Sequence, residues 1–435
     1  MNRRFAQLSP RVAGRHSGLH SNRFRFAAAL LGTALLGAAA TSQADTVTKP
    51  SDDPFYVQPN PLPHVAHGTL LGSREVSFEF DGSFTPFPLI PLPTKVKAWQ
   101  IQYATTDNSN QPVMNIATVL IPSTATADSP LLSYQTATDS DTLNFSSSYA
   151  MRTGAEIEGA LFGLGMAKGW KVVVPDFEGL HAEYTAGRQA GHSTLDAILA
   201  TEQLSEAQLK GIATPVVMWG YSGGAQATAW AAELQPSYAP QLNIVGIAEG
   251  GVPVNIGNVA RLIDGGPFAG VFFAAVTGIA RAYNVDMKPY LNAKGQKLIS
   301  QVANESITGA ILSAPFKKIN DYVLPQYQNV LSLPQFQTII ADDSLAKATP
   351  TAPLFIYGGT VSDLIYEPDS RVLAQYYCKN GGNVKLEFYP GDHFVVAVSG
   401  APEALHWLTE RLAGQSVPDN CNNLPAPDPV TLPPN

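Results

Sequence analysis

The stretch Pro215-Val216-Val217-Met218-Trp219-Gly220-Tyr221-Ser222-Gly223-Gly224 decides how this chain is read. Its first five residues suit a buried strand, and the Ala-rich run from Gly223 to Leu234 suits a helix. Between them lies Gly-x-Ser-x-Gly. A strand that turns sharply into a helix forces the central serine into a strained backbone and projects its hydroxyl. Gly220 and Gly224 are expected there because side chains would clash across the turn. The N–H of Gly223 falls at the helix start, where the dipole favours a developing anion. The reading is a nucleophilic Ser222, an elbow of Gly220, Tyr221 and Gly224, and Gly223 as one oxyanion donor.

Outward from the elbow the chain alternates strands and helices. Upstream, strands are predicted at Val76 to Phe80, Val96 to Tyr103, Val113 to Ile121, Pro130 to Tyr134 and Val172 to Val174. Helices are predicted at Glu156 to Lys168 and Thr194 to Glu202, and residues 45–70, rich in proline, should be mostly extended. Downstream, Asn243 to Ala248 is a strand, and Pro353 to Tyr357, Ser370 to Lys379, Val384 to Tyr389 and Pro402 to Leu412 read β-α-β-α. Repeated βα units imply an α/β fold, a mainly parallel sheet with helices on both faces. Residues 252–345 are apolar with helical spacing. They are expected to form a helical cap or lid inserted into a core of residues 45–251 and 346–435, the latter ending in a Pro-rich tail.

A nucleophilic serine needs a base. Past the leader region, only His393 and His406 follow Ser222. His393 comes directly after the strand Val384 to Tyr389, in a loop from which it could reach the serine, whereas His406 falls inside the last predicted helix. The acid that orients the base should follow a strand. The loop after Tyr357 offers Asp363 first, with Glu367 and Asp369 as alternatives. Asp392 adjoins His393 in sequence, which points its side chain elsewhere. A second oxyanion donor should come from a loop after an early strand, and Thr138-Asp139-Ser140 is the candidate.

The first 44 residues read as a signal for export. Six arginines and no acid precede an Ala- and Leu-rich run from Phe26 to Ala40, and Ser42-Gln43-Ala44 suits cleavage after Ala44. The run is about 15 residues, short of the roughly 20 that span a bilayer. The expected location is therefore secreted or periplasmic. Loss of those arginines leaves 21 basic against 35 acidic side chains, a net charge of −14. That disfavours nucleic acid as a partner, since phosphate neutralisation needs basic patches. Apolar residues at 45% and charged residues at 14% support a large buried core. The only cysteines, Cys378 and Cys421, are expected to pair in an exported chain, and neither has a metal-ligand spacing.

These segments together resemble the secretory lipase family of the Candida antarctica lipase A type, within the α/β-hydrolase superfamily. The resemblance runs from about Tyr56 to Leu412. It is carried by Ser133-Tyr134-Gln135 with Asp139-Ser140, Val174-Pro175-Asp176-Phe177-Glu178-Gly179, Gly191-His192 with Leu195-Asp196, the serine pentapeptide, Asp363 with Pro368, and Gly391-Asp392-His393. It implies a triad of Ser222, Asp363 and His393 and an oxyanion hole from Asp139 and Gly223. It further implies cleavage of carboxylic esters of lipids through an acyl-enzyme, with no metal or organic cofactor. A lipid or small ester is the expected substrate, with transient contact at a lipid interface. Phe268, Phe272, Phe273 and Tyr283 would then line an acyl tunnel or simply pack the cap. A short-chain carboxylesterase, a secreted serine peptidase and a non-catalytic binding protein of this fold are the rival readings.

Overall fold

A nine-stranded sheet organises the chain, in the spatial order β1-β2-β3-β5-β4-β6-β7-β8-β9. The computed structural model describes residues 47–79 and 95–432. The export signal expected over residues 1–44 lies outside them. The strands are β1 (Leu70–Val76), β2 (Val96–Thr106), β3 (Pro112–Pro122), β4 (Leu131–Gln135), β5 (Lys171–Pro175), β6 (Val216–Tyr221), β7 (Ile244–Gly250), β8 (Leu354–Gly359) and β9 (Val384–Tyr389). The first three strands and the β3–β5 pair run antiparallel, and β5, β4, β6, β7, β8 and β9 are mutually parallel.

The helices are α1 (Ser147–Thr153), α2 (Gly159–Ala167), α3 (Gly187–Gln203), α4 (Gly223–Tyr238), α5 (Ile256–Ile263), α6 (Ala269–Ala282), α7 (Ala293–Val302), α8 (Ile307–Ser313), α9 (Pro334–Asp342), α10 (Pro368–Lys379), α11 (His393–Ser399) and α12 (Ala401–Leu412). Side chains alternate across the strands and bury both faces of the sheet. On one face Ile101, Met218, Ile247 and Leu354 pack with Ile198 of α3, Trp230 of α4 and Leu373 of α10. On the other, Val172, Val217, Trp219 and Phe355 pack with Phe162 of α2 and Trp407 of α12.

Between β7 and β8 the chain leaves the sheet and builds α5 to α9. This insertion has its own apolar cluster, in which Phe272, Phe273, Leu298, Val302 and Phe336 are buried, joined by Tyr184 and Leu364 from the core. Phe272 and Phe273 are therefore packing residues, and Tyr283 hydrogen-bonds Asp342 within the insertion.

Two expectations are corrected. The first strand is not Val76 to Phe80 but Leu70–Val76, because register with β2 aligns Ser73 with Ile101 and Val76 with Ala98; Phe80 lies outside the described residues. Arg74 sits in this strand because Asp53 takes its guanidinium through both oxygens, at 2.9 and 2.6 Å. Residues 45–70 also contain short 3-10 turns at Pro50–Asp52 and Pro54–Tyr56.

The tail returns to the sheet. Cys378 at the end of α10 and Cys421 form a disulfide. Beside it, Asn420 donates to Leu386 O at 2.8 Å and accepts from Leu386 N–H at 2.9 Å, covering the open edge of β9. Closing a loop of 43 residues restricts the unfolded chain. Replacing both cysteines with serine is expected to destabilise the protein by about 2–4 kcal/mol, read as a lower urea midpoint.

Candidate active site

The candidate residues gather at the carboxyl ends of the parallel strands, where ligands bind in open α/β sheets. Ser222 follows β6, with φ 56° and ψ −124°, and its N–H donates to Gly250 O of the neighbouring strand at 2.8 Å. Such a backbone costs on the order of 1–3 kcal/mol and persists only where its surroundings enforce it. The enforcement is steric as well as hydrogen-bonded. A Cβ on Gly224 would stand 1.9 Å from Gln135 O at the end of β4, so no other residue lets α4 leave this close to the sheet.

His393 lies where the serine needs it. Its Nε2 is 2.9 Å from Ser222 Oγ, and the side chain is 3% exposed. It opens helix α11 rather than sitting in a loop, since Asp392 caps that helix by accepting from Val395 N–H at 2.9 Å. That task accounts for Asp392. The backbone of His393 is held from both sides. Its N–H donates to Asp363 Oδ1 at 3.1 Å, and its carbonyl accepts from Tyr221 Oη at 2.5 Å. His393 Nδ1 is buried and has no partner among the described residues. Burial without that partner pushes the imidazole pKa down to about 3, which keeps the ring neutral.

The alternative acids are engaged elsewhere. Glu367 is buried under the turn, accepting from Gly359 N–H at 3.2 Å and Ser370 Oγ at 3.4 Å. Asp369 accepts twice from Asn258 of α5, at 3.1 and 2.8 Å. His406 is exposed on α12, 3.3 Å from Glu410. Asp363 is thus the carboxylate of this loop that contacts His393, through the main chain.

Asp139 and Gly223 are brought together. A Cβ on Gly223 would stand 1.8 Å from Asp139 Oδ1, so the aspartate side chain lies directly over the elbow glycine. Asp139 has φ 48°, in the left-handed region, and Glu178 beneath the loop accepts from Ser140 N–H at 3.3 Å. Burial, and then the nearby Glu158, raises the Asp139 carboxyl to about 7; burial raises Asp141 to about 8. Glu178 is raised well above its ordinary value by burial and then by Asp139 and Asp141. Sequence reasoning attached no role to Glu178, to Tyr221 as a hydrogen-bond donor, or to Glu367 as a brace. The signal for Glu178 and Tyr221 was membership of the quoted motifs, and Glu367 was read only as an alternative acid. His192 and Asp196, also in those motifs, serve a different cluster. Asp196 binds His67 Nδ1 at 2.6 Å and Tyr238 Oη at 2.8 Å, and His192 stacks on Tyr238 at 4.2 Å.

The insertion touches the segments that carry Asp139, Asp363 and His393. Phe268 packs on Phe394, beside His393, at 5.5 Å between ring centroids. Leu364, beside Asp363, joins the insertion's cluster. Ser140 Oγ donates to Glu305 O at 3.3 Å, and Arg281 donates to Asp141 O at 2.6 Å.

A parallel sheet with a serine at a strand-to-helix elbow, facing a histidine after the last strand, defines the α/β-hydrolase class. Comparison with known proteins narrows this. The sequence pattern described as secretory lipase matches residues 147–420, and the chain belongs to that family. It is an ester hydrolase of the lipase and carboxylesterase type by that membership. It is 30% identical to Lipase A of Moesziomyces aphidis, covering 92% of this chain and 89% of the relative. It is 34% identical to a probable inactive lipase of Mycobacterium tuberculosis, over 85% of this chain and 84% of the relative. The closed-state crystal structure of Candida antarctica lipase A superposes with a TM-score of 0.79 at 28% identity, covering 89% of this chain and 92% of that one.

The buried carboxyls give stability a pH dependence with a definite sign. Asp139, Asp141 and Glu367 hold protons in the folded chain up to about 7, 8 and 8, whereas the unfolded chain releases them in the ordinary carboxylate range. Their stabilisation is full below the unfolded pKa and is lost as pH rises through the folded pKa. His67, raised by Asp196, acts in the same direction. His393 and His192, lowered by burial to about 3 and about 4, act oppositely, but only below the ordinary histidine pKa. Between pH ~6.5 and ~8 the carboxyls and His67 stand unopposed by those two histidines. The urea midpoint is expected to fall across that interval, and Asp139→Asn should flatten the slope.

Proposed function

We propose that this chain cleaves carboxylic esters of lipids by acyl transfer to Ser222. The observation that carries the reading is the 2.9 Å approach of His393 Nε2 to Ser222 Oγ at the elbow. In this scheme His393 takes the hydroxyl proton as Ser222 attacks the ester carbonyl. The N–H groups of Gly223 and Asp139 receive the oxyanion, and the α4 N-terminus adds its dipole. His393 then protonates the leaving alcohol, and water repeats the sequence to release the acid. The imidazolium formed on the way needs an anion, and Asp363 is the carboxylate placed to supply it. At rest it holds the main-chain N–H of His393, and in turnover it would offset the charge on the ring. The insertion, packed against the Asp139, Asp363 and His393 loops, serves as a cap over the acyl site.

One relative is named as a probable inactive lipase; in this chain the contact of His393 with Ser222 favours turnover. The fungal relative named Lipase A supports lipid esters as substrates, and the family supports export, which the arginine-rich first 44 residues suit.

Hydrolysis of p-nitrophenyl esters from C2 to C16 tests this. Cleavage of long acyl chains is expected, abolished in Ser222→Ala and lowered about 10⁴-fold in kcat by Asp363→Asn. Cleavage confined to short chains would move the substrate to small carboxylic esters, and failure of a fluorophosphonate to label Ser222 would overturn the triad.

A further inference from the structure

We infer that Arg281, at the end of insertion helix α6, is a positioning residue that holds the oxyanion loop in its working shape. This rests on the assignment of the Asp139 N–H as an oxyanion donor. Arg281 Nη1 donates to three backbone carbonyls on two core loops: Asp141 at 2.6 Å, His181 at 3.0 Å and Ala182 at 3.0 Å. Each loop contains a residue with a Cβ in the left-handed region. Asp139, two residues from Asp141, has φ 48°, and Ala182 has φ 48° as well. Left-handed conformations of residues with a Cβ persist only when neighbouring groups over-determine them. The other ties on the oxyanion loop are weaker or sit at its near end. Ser140 N–H reaches Glu178 at 3.3 and 3.4 Å, and Thr138 Oγ1 meets Ser147 Oγ at 2.9 Å. The far end is closed by Arg281, a charge-assisted donor.

The group is suited to that work. The guanidinium keeps its charge at all working pH, and the two hydrogens of Nη1 are shared among the three converging carbonyls. Its place in the last turn of α6 also matches cation to helix C-terminus. Arg281 borders an open groove of about 690 Å³, lined also by Asp141, Leu143, His181 and Glu183. A small solute can therefore reach the position the guanidinium occupies.

Displacing an oxyanion donor weakens binding of the transition state and leaves the ground-state carbonyl nearly unaffected. Arg281→Ala is expected to lower kcat by about 10–100-fold with KM within about twofold of wild type. Inhibition by an alkyl boronic acid, which mimics the tetrahedral intermediate, should weaken by the same factor. Millimolar guanidinium should restore part of the lost kcat in Arg281→Ala but add nothing to wild type, and Arg281→Lys should fall between the two. A loss in KM alone, unaltered boronic acid affinity, or no rescue by guanidinium would overturn the role of Arg281. Fluorophosphonate labelling of wild-type Ser222 separates the two readings. Unlabelled wild-type protein removes the triad on which this rests, whereas labelled wild type with an unimpaired Arg281→Ala removes Arg281 alone.

Discussion

The close approach of Gly224 to the Gln135 carbonyl governs much else in this molecule. It sets the distance between α4 and the end of β4, and so the distance between the Ser222 hydroxyl and the loop that carries Asp139. Ser222 N–H, bound to Gly250 O, ties the same turn to β7 on its other side. The elbow is thus fixed between two strands before any catalytic group is considered. Histidine, carboxylate and oxyanion loop are then placed relative to it by separate strand ends, β9, β8 and β4. Parallel strands make this economical, because their carboxyl ends share one rim.

Around that rim the structure spends polar groups where a core would ordinarily be apolar. Asp139, Asp141, Glu178 and Glu367 are all buried, and Glu178 and Glu367 accept from the main-chain N–H groups of Ser140 and Gly359. Burial raises their pKa values, so they carry protons under conditions where surface carboxylates do not. The insertion adds a second layer of restraint through Arg281, Glu305 and Phe268.

The fold was legible because strong signals repeat: short β-rich runs, a pentapeptide in the right setting, and a histidine after the last strand. Where reading failed, local propensity was misleading. Leu70–Val76 contains Gly72 and Arg74 and looks unlike a strand until Asp53 and Gln100 are seen to bind the arginine. Helix α3 begins at Gly187, seven residues before the expected Thr194, because glycines that weaken a helix in isolation here admit Trp230 of α4. Helix α1 is short and serine-rich, and α9 starts on Pro334, so neither has an apolar face long enough to detect. In the candidate site, Ser222, His393 and Asp363 could be named from order and spacing. The unpartnered Nδ1 of His393, the Tyr221 bond to its carbonyl, and the span of Arg281 could not. They depend on distances between segments far apart in sequence.

The tail that Cys421 and Asn420 fasten over β9 has a bearing on where this protein can be made. Until the disulfide closes, the covering strap is held only by its hydrogen bonds to β9, and where these open the outermost strand exposes a row of amide and carbonyl groups. That row can add a strand from another molecule. In a reducing cytosol the chain would meet its own copies in this state, and self-association would compete with maturation. An oxidising compartment, where this disulfide can form, would thus also complete a barrier against misassembly.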